Sequence, residues 1–226
     1  MLLVIEQIFD ADEVQLFRQH LNNGNWQDGK LSAGSQAIQV KTNQQLEDQS
    51  ETSLTLGNEI LKRLGQHPQF VSAALADKIY PPKFNRYQNG GHYGTHVDSA
   101  IMALPNSGDL LRTDLSATLF FSNPEDYDGG VLSIDTEFGV QEVKLNAGDL
   151  VLYPSNSLHQ VTAVTRGQRL AAFFWIQSMV REHGQRSMLY DLDQSIQNLS
   201  TSLGNDDSEV LRLSAVYHNL LRTWAC

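Results

Sequence analysis

The N-terminal part of the chain has apolar residues at helical spacing, and its first predicted element is a short helix. Val14, Phe17 and Leu21 fall on one helical face at intervals of three and four residues. Asp10, followed three residues later by Glu13, has the form of a capping box. We therefore predict an amphipathic helix that starts after Asp10 and packs its apolar face on a core.

A second stretch of helical periodicity extends from about residue 51 to residue 64. Its inward side chains are predicted to be four aliphatic residues, Leu54, Ile60, Leu61 and Leu64. Gly65 follows directly, and glycine is common just past a helix C-terminus. The two helices are expected to support a β-sheet formed by the residues that follow.

From residue 77 onward the apolar residues occur in short runs separated by turn residues, which is the pattern of strands. Eight runs are predicted as strands: 78–88, 92–98, 116–122, 130–135, 139–145, 149–153, 158–164 and 169–178. Between them, Gly129, Gly148 and Gly167 are expected to lie in tight turns. Eight short strands of this kind favour a jelly roll.

Helical spacing returns after about residue 180, and part of its apolar stripe is a candidate homodimer face. The predicted fold class is mainly β with flanking helices. Its core is a double-stranded β-helix (a cupin-like jelly roll), with N-terminal helices and a C-terminal helical extension. The predicted regions are a support region at 1–77, the jelly-roll core at 78–178 and the helical extension at 179–226.

The overall composition is that of an ordinary globular protein, with 226 residues of which 41% are hydrophobic. The 16 basic and 26 acidic side chains give a formal charge of −10, which opposes the electrostatic attraction that nucleic-acid binding requires. The single cysteine, Cys226, is the last residue, so an intramolecular disulfide and a multi-cysteine zinc site are excluded.

The sequence shows no sign of a membrane or export segment. No stretch approaches the roughly 20 apolar residues of a membrane-spanning helix, and the apolar run at the N-terminus is too short for a signal peptide. We therefore expect a cytoplasmic protein that binds neither membranes nor nucleic acid.

A His-x-Asp pair gives the first indication of chemistry. Residues i and i+2 of a strand face the same side, so His96 and Asp98 can reach one metal ion. His159, in a later strand-like run, is the third candidate ligand, whereas His92 is about 13 Å from His96 along the strand. Two histidines and one carboxylate leave coordination positions open, as in non-haem Fe(II) oxygenases. We expect these three residues to bind Fe(2+).

Arg169 follows His159 by ten positions and opens an apolar run that a hairpin would place beside the strand of His159. A guanidinium binds a carboxylate in a bidentate manner, which suits the far end of a dicarboxylate whose other end chelates the iron. That dicarboxylate would be 2-oxoglutarate, and O2 would take the last position. Arg166 is the competing candidate, but it lies in a predicted turn where a solvated side chain is expected.

These residues belong to longer motifs. The motifs are Asn-Arg-Tyr-x-x-Gly-x-x-Tyr-x-x-His-x-Asp at 85–98, Leu-Ser-Ala-Thr-Leu-Phe-Phe-Ser-Asn-Pro at 115–124, Tyr-Asp-Gly-Gly-Val-Leu at 127–132 and Ala-Gly-Asp-Leu-Val-Leu-Tyr-Pro-Ser at 147–155. With them, the sequence resembles the Fe(II)/2-oxoglutarate-dependent dioxygenases. More narrowly, it is similar to the bacterial PKHD-type hydroxylases, relatives of the prolyl and lysyl hydroxylases. Segments at 26–30, 33–37 and 40–43 extend the likeness to nearly the whole chain.

The resemblance implies an enzyme that hydroxylates an unactivated C–H bond and converts 2-oxoglutarate and O2 to succinate and CO2. It implies Fe(2+) as the cofactor, 2-oxoglutarate as the co-substrate and L-ascorbate as a reductant of oxidised iron. It also implies that Tyr87 contacts the co-substrate and that Tyr93 lies near the metal, and the alternative for both residues is a packed aromatic side chain. The prime substrate is open, and both a peptidyl prolyl or lysyl side chain and a small molecule are candidates.

Two other classes of function remain open at this point. A cupin-like metalloenzyme could use the same three ligands without 2-oxoglutarate, and Arg169 would then be structural. A non-catalytic jelly roll could bind iron as a sensor and would form no succinate. The segment 99–114, directly after the His-x-Asp pair, is either a lid over the substrate or a connection that packs on the barrel.

Overall fold

A computed structural model describes residues 1–32 and 39–226 of the chain, so the 33–37 part of the sequence motif lies outside the described residues. The helices in these ranges are α1 (Ala11–Asn22), α2 (Glu51–Gln66), α3 (Pro68–Ala74), α4 (His183–Leu203) and α5 (Ser208–Trp224). None of them is long and apolar enough to cross a membrane.

Most strands in the described ranges belong to two antiparallel sheets. The larger sheet contains β1 (Leu3–Ile5), β2 (Trp26–Asp28), β4 (Gln44–Leu46), β5 (Ala76–Ile79), β6 (Lys83–Gln88), β10 (Leu115–Phe120), β11 (Tyr127–Asp128), β14 (Leu150–Pro154) and β16 (Arg166–Ser178). The smaller sheet contains β3 (Lys41–Thr42), β7 (His92–His96), β12 (Leu132–Thr136), β13 (Gly139–Val143) and β15 (His159–Val161). A separate hairpin is formed by β8 (Ile101–Ala103) and β9 (Leu110–Arg112).

The order of the strands places the long β16 in the middle of the larger sheet. That order is β1-β14-β10-β16-β6-β4-β2, and β5 and β11 also pair with β16. The smaller sheet has the order β13-β12-β15-β7-β3. This two-sheet architecture with flanking helices agrees with the predicted jelly roll.

Alternation along the strands gives the larger sheet two different faces. On β10, Ala117 and Leu119 pack in a core with the N-terminal helices, whereas Phe120 packs in a second core. The second core also contains Leu132, Ile134 and residues of both sheets. One face of the larger sheet is therefore covered by helices and the other by the smaller sheet, as period-two alternation in a strand requires.

The helix predicted after Asp10 is present with its capping box. The Asp10 side chain accepts a hydrogen bond from the backbone N–H of Glu13 at 2.9 Å, and the Glu13 side chain accepts one from the backbone N–H of Asp10. The buried residues of α1 are the ones that the sequence pattern predicts, Val14, Phe17 and Leu21.

The prediction for α2 was wrong in its details. Leu54 is 46% exposed, and Leu56 is the residue buried in the core beside Ile60 and Leu64. Gly65 does not end this helix, which continues to Gln66. Ser50 caps the N-terminus, and the buried face follows from that start at residues 53, 56, 57, 60 and 64.

Three predicted loops or strands also differ from the structure. The run 78–88 is two strands, because Pro81 and Pro82 interrupt the ladder between β5 and β6. Arg166 and Gly167 were assigned to a turn, but β16 begins at Arg166 and pairs there with β11. The segment 99–114 contains the β8–β9 hairpin, whose base is fixed by hydrogen bonds from Thr113 to the backbone oxygens of Ser99 and Ala100.

Gly148 provides a test of the close approach between the N-terminus and the larger sheet. Its φ is +99°, and a Cβ at this position would overlap the backbone oxygen of Phe9. We expect Gly148→Ala to lower the free energy of unfolding by about 2 kcal/mol or more, from backbone strain and steric overlap. Urea denaturation measures this change.

Gly65→Ala is the matched control. Gly65 lies within α2, and a Cβ there meets nothing within 4 Å. This variant should gain about 0.5–1 kcal/mol of stability from the higher helix propensity of alanine. Equal stability of the two variants would contradict the strain assigned to Gly148.

Candidate functional site

The smaller sheet brings two histidines and an aspartate together. In the antiparallel pairing of β7 with β15, His96 lies directly opposite His159. Asp98 follows two residues after His96. Its Oδ1 lies 3.9 Å from Nε2 of His96, and its Oδ2 lies 3.7 Å from Nε2 of His159. One donor atom of each residue lies within 4.8 Å of the other two, so the three can bind a single ion.

Hydrogen bonds to the backbone fix both imidazole rings. Nδ1 of His96 lies 2.8 Å from the carbonyl oxygen of Gly94, and Nδ1 of His159 lies 3.0 Å from that of Ser157. Because a carbonyl oxygen only accepts, each Nδ1 carries the proton and each Nε2 keeps its lone pair. This is the tautomer in which Nε2 can bind a metal.

The carboxylate of Asp98 is oriented by a hydroxyl group from the larger sheet. Ser116 on β10 donates a hydrogen bond to Oδ2 of Asp98 at 2.6 Å. The Oγ of Ser116 lies 2.8 Å from the Oγ of Ser155, and both serines are buried. Hydrogen-bonded carboxylates of this kind are typical of metal sites, where the outer contact holds the ligand in position.

The surroundings of His96 keep it neutral. Tyr93 stacks on its ring with the centroids 3.6 Å apart, and the ring of His159 lies 4.2 Å away. Burial, followed by the proximity of His159, lowers the pKa of His96 to about 4. Metal ions bind the neutral form of imidazole, so this donor set fits a divalent cation.

A buried arginine lies in the same cavity, on the larger sheet. Arg169 is opposite Tyr87 in the pairing of β16 with β6, and it is 1% exposed. Its guanidinium carbon lies 4.9 Å from the ring centroid of Phe120 and 5.5 Å from that of Tyr87. Its Nε and Nη1 are buried without a hydrogen-bond partner among the described residues. Since an unsatisfied buried charge is unfavourable, the position fits an acidic ligand.

Arg166, the competing arginine, has a different environment. Its side chain is exposed and forms a bidentate ion pair with Asp128, at 2.7 Å through Nε and 2.9 Å through Nη2. The structure therefore places one arginine at the surface with its charge paired, and the other inside the cavity.

One cavity of about 650 Å³ contains the His-Asp-His cluster, Arg169 and Tyr87. Burial raises the pKa of Tyr87 to about 12, although the charge of Arg169 opposes the shift. The phenol therefore stays protonated and can donate a hydrogen bond to an anion at Arg169. His92, in contrast, is hydrogen-bonded to the backbone oxygen of Gly90 and does not line this cavity.

Similarity to known proteins identifies the family of the chain. Residues 82–177 match the family model of the 2OG-Fe(II) oxygenase superfamily, and residues 183–225 match that of the PKHD-type hydroxylase C-terminal domain. A PKHD-type hydroxylase from Pseudoalteromonas atlantica is 60% identical, over 100% of this chain and 99% of the relative. The chain belongs to the PKHD-type hydroxylase family. A further member, from Teredinibacter turnerae, is 59% identical over the same shares of both chains.

Solved structures support the fold of this PKHD-type hydroxylase. A prolyl-4-hydroxylase from Pseudomonas putida superimposes with a TM-score of 0.52 at 19% identity, over 78% of this chain and 92% of the other. A prolyl hydroxylase from Trichoplax adhaerens gives a TM-score of 0.55 at 14% identity, over 83% and 86%. These likenesses show the jelly-roll fold.

The predicted family and reaction class are thereby confirmed. This PKHD-type hydroxylase is an Fe(II)- and 2-oxoglutarate-dependent dioxygenase that hydroxylates a C–H bond of its substrate. The family assignment disfavours both alternatives that the sequence left open, the cupin-like enzyme without 2-oxoglutarate and the non-catalytic iron sensor.

Several buried polar residues in and beside the cavity could not be recognised from the sequence. Ser116, Ser155 and Lys41 are all buried, and two of them support Asp98. A signal for Ser116 was present, because a small polar residue interrupts the apolar run of β10. This signal can be interpreted only when the inward face of β10 is known.

The burial of Arg169 generates a stability prediction. We expect Arg169→Met to raise the free energy of unfolding of the ligand-free protein by about 1–3 kcal/mol, because it removes a buried cation with unsatisfied donors. Urea denaturation of the metal-free protein without 2-oxoglutarate provides the measurement.

Arg186→Met serves as the control, since Arg186 is equally buried but hydrogen-bonded. Its Nη1 donates to the backbone oxygens of Val180 and Arg181 at 2.7 Å. This variant should lose stability, because two acceptors lose their donor. A loss of stability in Arg169→Met as well would contradict the prediction, because the guanidinium would then have its hydrogen-bond partners without a ligand.

Proposed function

We propose that His96, Asp98 and His159 are the protein ligands of Fe(2+), and that Arg169 binds the distal carboxylate of 2-oxoglutarate. The observation that carries this assignment is the shared cavity of a two-histidine, one-carboxylate cluster and a buried arginine with unsatisfied donors. Iron bound there would supply the oxidising chemistry for hydroxylation of the C–H bond. The jelly-roll core at 78–178 would hold all four residues.

The residues of the chain would act by binding and orienting. Arg169 neutralises the carboxylate of the co-substrate, and Tyr87 donates a hydrogen bond to the same group. Gly94 and Ser157 hold the histidine tautomers through their carbonyl oxygens, and Ser116 holds Asp98. Each of these groups is set before a ligand arrives, which reduces the cost of ordering the site on binding.

Several finer assignments rest on the resemblance to the family. L-Ascorbate is the proposed reductant of oxidised iron, and the cytoplasm is the proposed location. The prolyl hydroxylase names of the structural neighbours support an amino-acid C–H bond, such as that of a peptidyl prolyl or lysyl side chain, as the proposed target. Part of the apolar stripe in the C-terminal helical extension at 179–226 is the proposed contact surface of a homodimer.

Anaerobic titration tests the ligand assignment. Fe(2+) and then 2-oxoglutarate are added to the metal-free protein, and the visible metal-to-ligand charge-transfer band is recorded. We expect a band in the wild type, none in His96→Ala, and a need for at least about tenfold more 2-oxoglutarate in Arg169→Gln, since a charge-assisted bidentate contact is lost. Succinate release is then measured on admission of O2.

His92→Ala and Arg166→Gln are the matched controls, because each removes the same residue type outside the proposed site. Both should keep the wild-type band and the wild-type affinity for 2-oxoglutarate. A folded, iron-loaded wild type that shows no band and forms no succinate would overturn the assignment.

The role of Ser116 gives a separate prediction about metal affinity. Ser116→Ala removes the hydrogen bond to Asp98, and we expect Fe(2+) affinity to fall by about 10- to 100-fold. Competition with a chelator of known affinity measures it.

Ser122→Ala is the control, because Ser122 is also buried but accepts from the backbone N–H of Leu170. This control should lose stability and keep its metal affinity. Equal loss of metal affinity in both variants would mean that general loosening of the core, and not the contact to Asp98, is responsible.

A further inference from the structure

Two segments that extend the likeness to the family have no role in the function proposed above. They are the stretch at 26–30, which contains Gly29, and the stretch at 40–43, which ends at Asn43. Asn43 is 8% exposed, and neither its Nδ2 nor its Oδ1 has a hydrogen-bond partner among the described residues. An unsatisfied buried amide destabilises a fold, so Asn43 is a candidate for a role in ligand binding.

The register of the larger sheet places Asn43 beside Tyr87. In the pairing of β4 with β6, Gln44 lies opposite Arg86. The same antiparallel register, continued by one residue, places Asn43 opposite Tyr87. On the other side of Tyr87, its partner on β16 is Arg169. Directly opposite residues of neighbouring strands point to the same face, with Cβ atoms about 4.5–5.5 Å apart. Asn43, Tyr87 and Arg169 therefore form one row across three strands.

Gly29 leaves the space that the Asn43 amide occupies. Asp28 lies opposite Gln44 in the pairing of β2 with β4, so Gly29 continues the same row on the far side of Asn43. The N–H of Gly29 donates to the backbone oxygen of Asn43 at 2.9 Å. A Cβ at Gly29 would overlap Oδ1 of Asn43. The two segments without a role thus meet at one contact, which a side chain at residue 29 would prevent.

Asn43 lies behind Tyr87 as seen from the iron cluster. It does not line the cavity that contains Tyr87 and Arg169, but a separate polar cavity of about 200 Å³. Its side chain is close enough to the Tyr87 hydroxyl to oppose the rise in the pKa of Tyr87 that burial causes. An effect of Asn43 on a ligand at Arg169 would therefore pass through the phenol.

The chemistry of the three side chains sets the direction of hydrogen bonds along the row. The amide nitrogen of asparagine and the guanidinium of arginine only donate, whereas a phenol both accepts and donates. When Nδ2 of Asn43 donates to the phenol oxygen, the phenolic proton of Tyr87 is directed at a further acceptor. A carboxylate at Arg169 is such an acceptor. Hydrogen bonds linked in this way strengthen one another.

We infer that Asn43 is a positioning residue for the co-substrate. Its amide donates to the hydroxyl of Tyr87 when 2-oxoglutarate is bound, and the phenol in turn donates to the carboxylate held by Arg169. Gly29 keeps the space for this amide. The inference rests on the proposed function, because it takes Arg169 and Tyr87 to contact the distal carboxylate of 2-oxoglutarate.

2-Oxoglutarate and 2-oxopentanoate make a matched pair of ligands, because a methyl group replaces the distal carboxylate in the second. Each is titrated anaerobically into the Fe(2+)-loaded protein, and the metal-to-ligand charge-transfer band is recorded. Asn43→Leu should weaken 2-oxoglutarate binding by about three- to tenfold, as expected for one hydrogen bond, and leave the affinity for 2-oxopentanoate within about twofold. A general disturbance of the fold would weaken both ligands.

The stability of Asn43→Leu distinguishes a positioning role from a structural one. The variant removes a buried amide without partners and keeps a similar volume, so the ligand-free protein should be at least as stable as the wild type in urea denaturation. Asn85→Leu is the matched control, because Asn85 is buried two residues before Tyr87 and its Oδ1 also lacks a partner among the described residues. This control should keep the wild-type affinity for both ligands.

A double-mutant cycle tests whether Asn43 acts through Tyr87. Tyr87→Phe removes the phenolic hydroxyl and should itself weaken 2-oxoglutarate binding, and Asn43→Leu should have no further effect in that background. Gly29→Ala, which displaces the amide, should reproduce the loss seen in Asn43→Leu. Gly65→Ala, where the added Cβ meets nothing within 4 Å, should not. If Asn43→Leu does not fold, Gly29→Ala and its control still provide the test.

Wild-type affinity for 2-oxoglutarate in Asn43→Leu would overturn the inference. So would equal losses for the two ligands, additive effects of Asn43→Leu and Tyr87→Phe, or wild-type affinity in Tyr87→Phe. Failure of the proposed function has a different signature. If Arg169→Gln also binds 2-oxoglutarate as the wild type does, the distal carboxylate is not bound at Arg169, and the proposed function itself is wrong.

Discussion

The antiparallel register of β7 with β15 is the constraint on which the site depends. It places His96 directly opposite His159, with Asp98 two residues further along the chain. A slip of one residue in either strand would turn that histidine to the other face of the sheet. The carbonyl groups that fix the rings belong to residues two positions before each histidine, so the chain that sets the register also sets the tautomers.

Much of this arrangement could be predicted from the sequence, because local rules determine it. The capping box at Asp10 and the i, i+2 spacing of His96 and Asp98 are short-range patterns that tertiary structure did not override. The likeness over nearly the whole chain then gave the family, the reaction class and the jelly roll, which no local pattern alone could establish.

What the sequence did not reveal depends on the facing of strands and on long-range packing. The inward face of α2 was assigned to Leu54, whereas the start at Ser50 turns Leu56 to the core. Lys41 and Lys83 are ordinary surface residues by composition, and their burial follows from the position of β3 and β6 beside the cavity. The hairpin at 101–112 also could not be predicted from the sequence, because each of its two strands has only three residues.

The two halves of the proposed site belong to different sheets. The histidines lie on the smaller sheet, whereas Arg169 lies on the larger one. 2-Oxoglutarate held by Arg169 at one end and by the metal of the histidines at the other would therefore connect the two sheets. Succinate is one carbon shorter than 2-oxoglutarate, because one carbon leaves as CO2. A product one carbon shorter would fit the distance from Arg169 to the metal less well, so turnover would weaken the link between the two sheets.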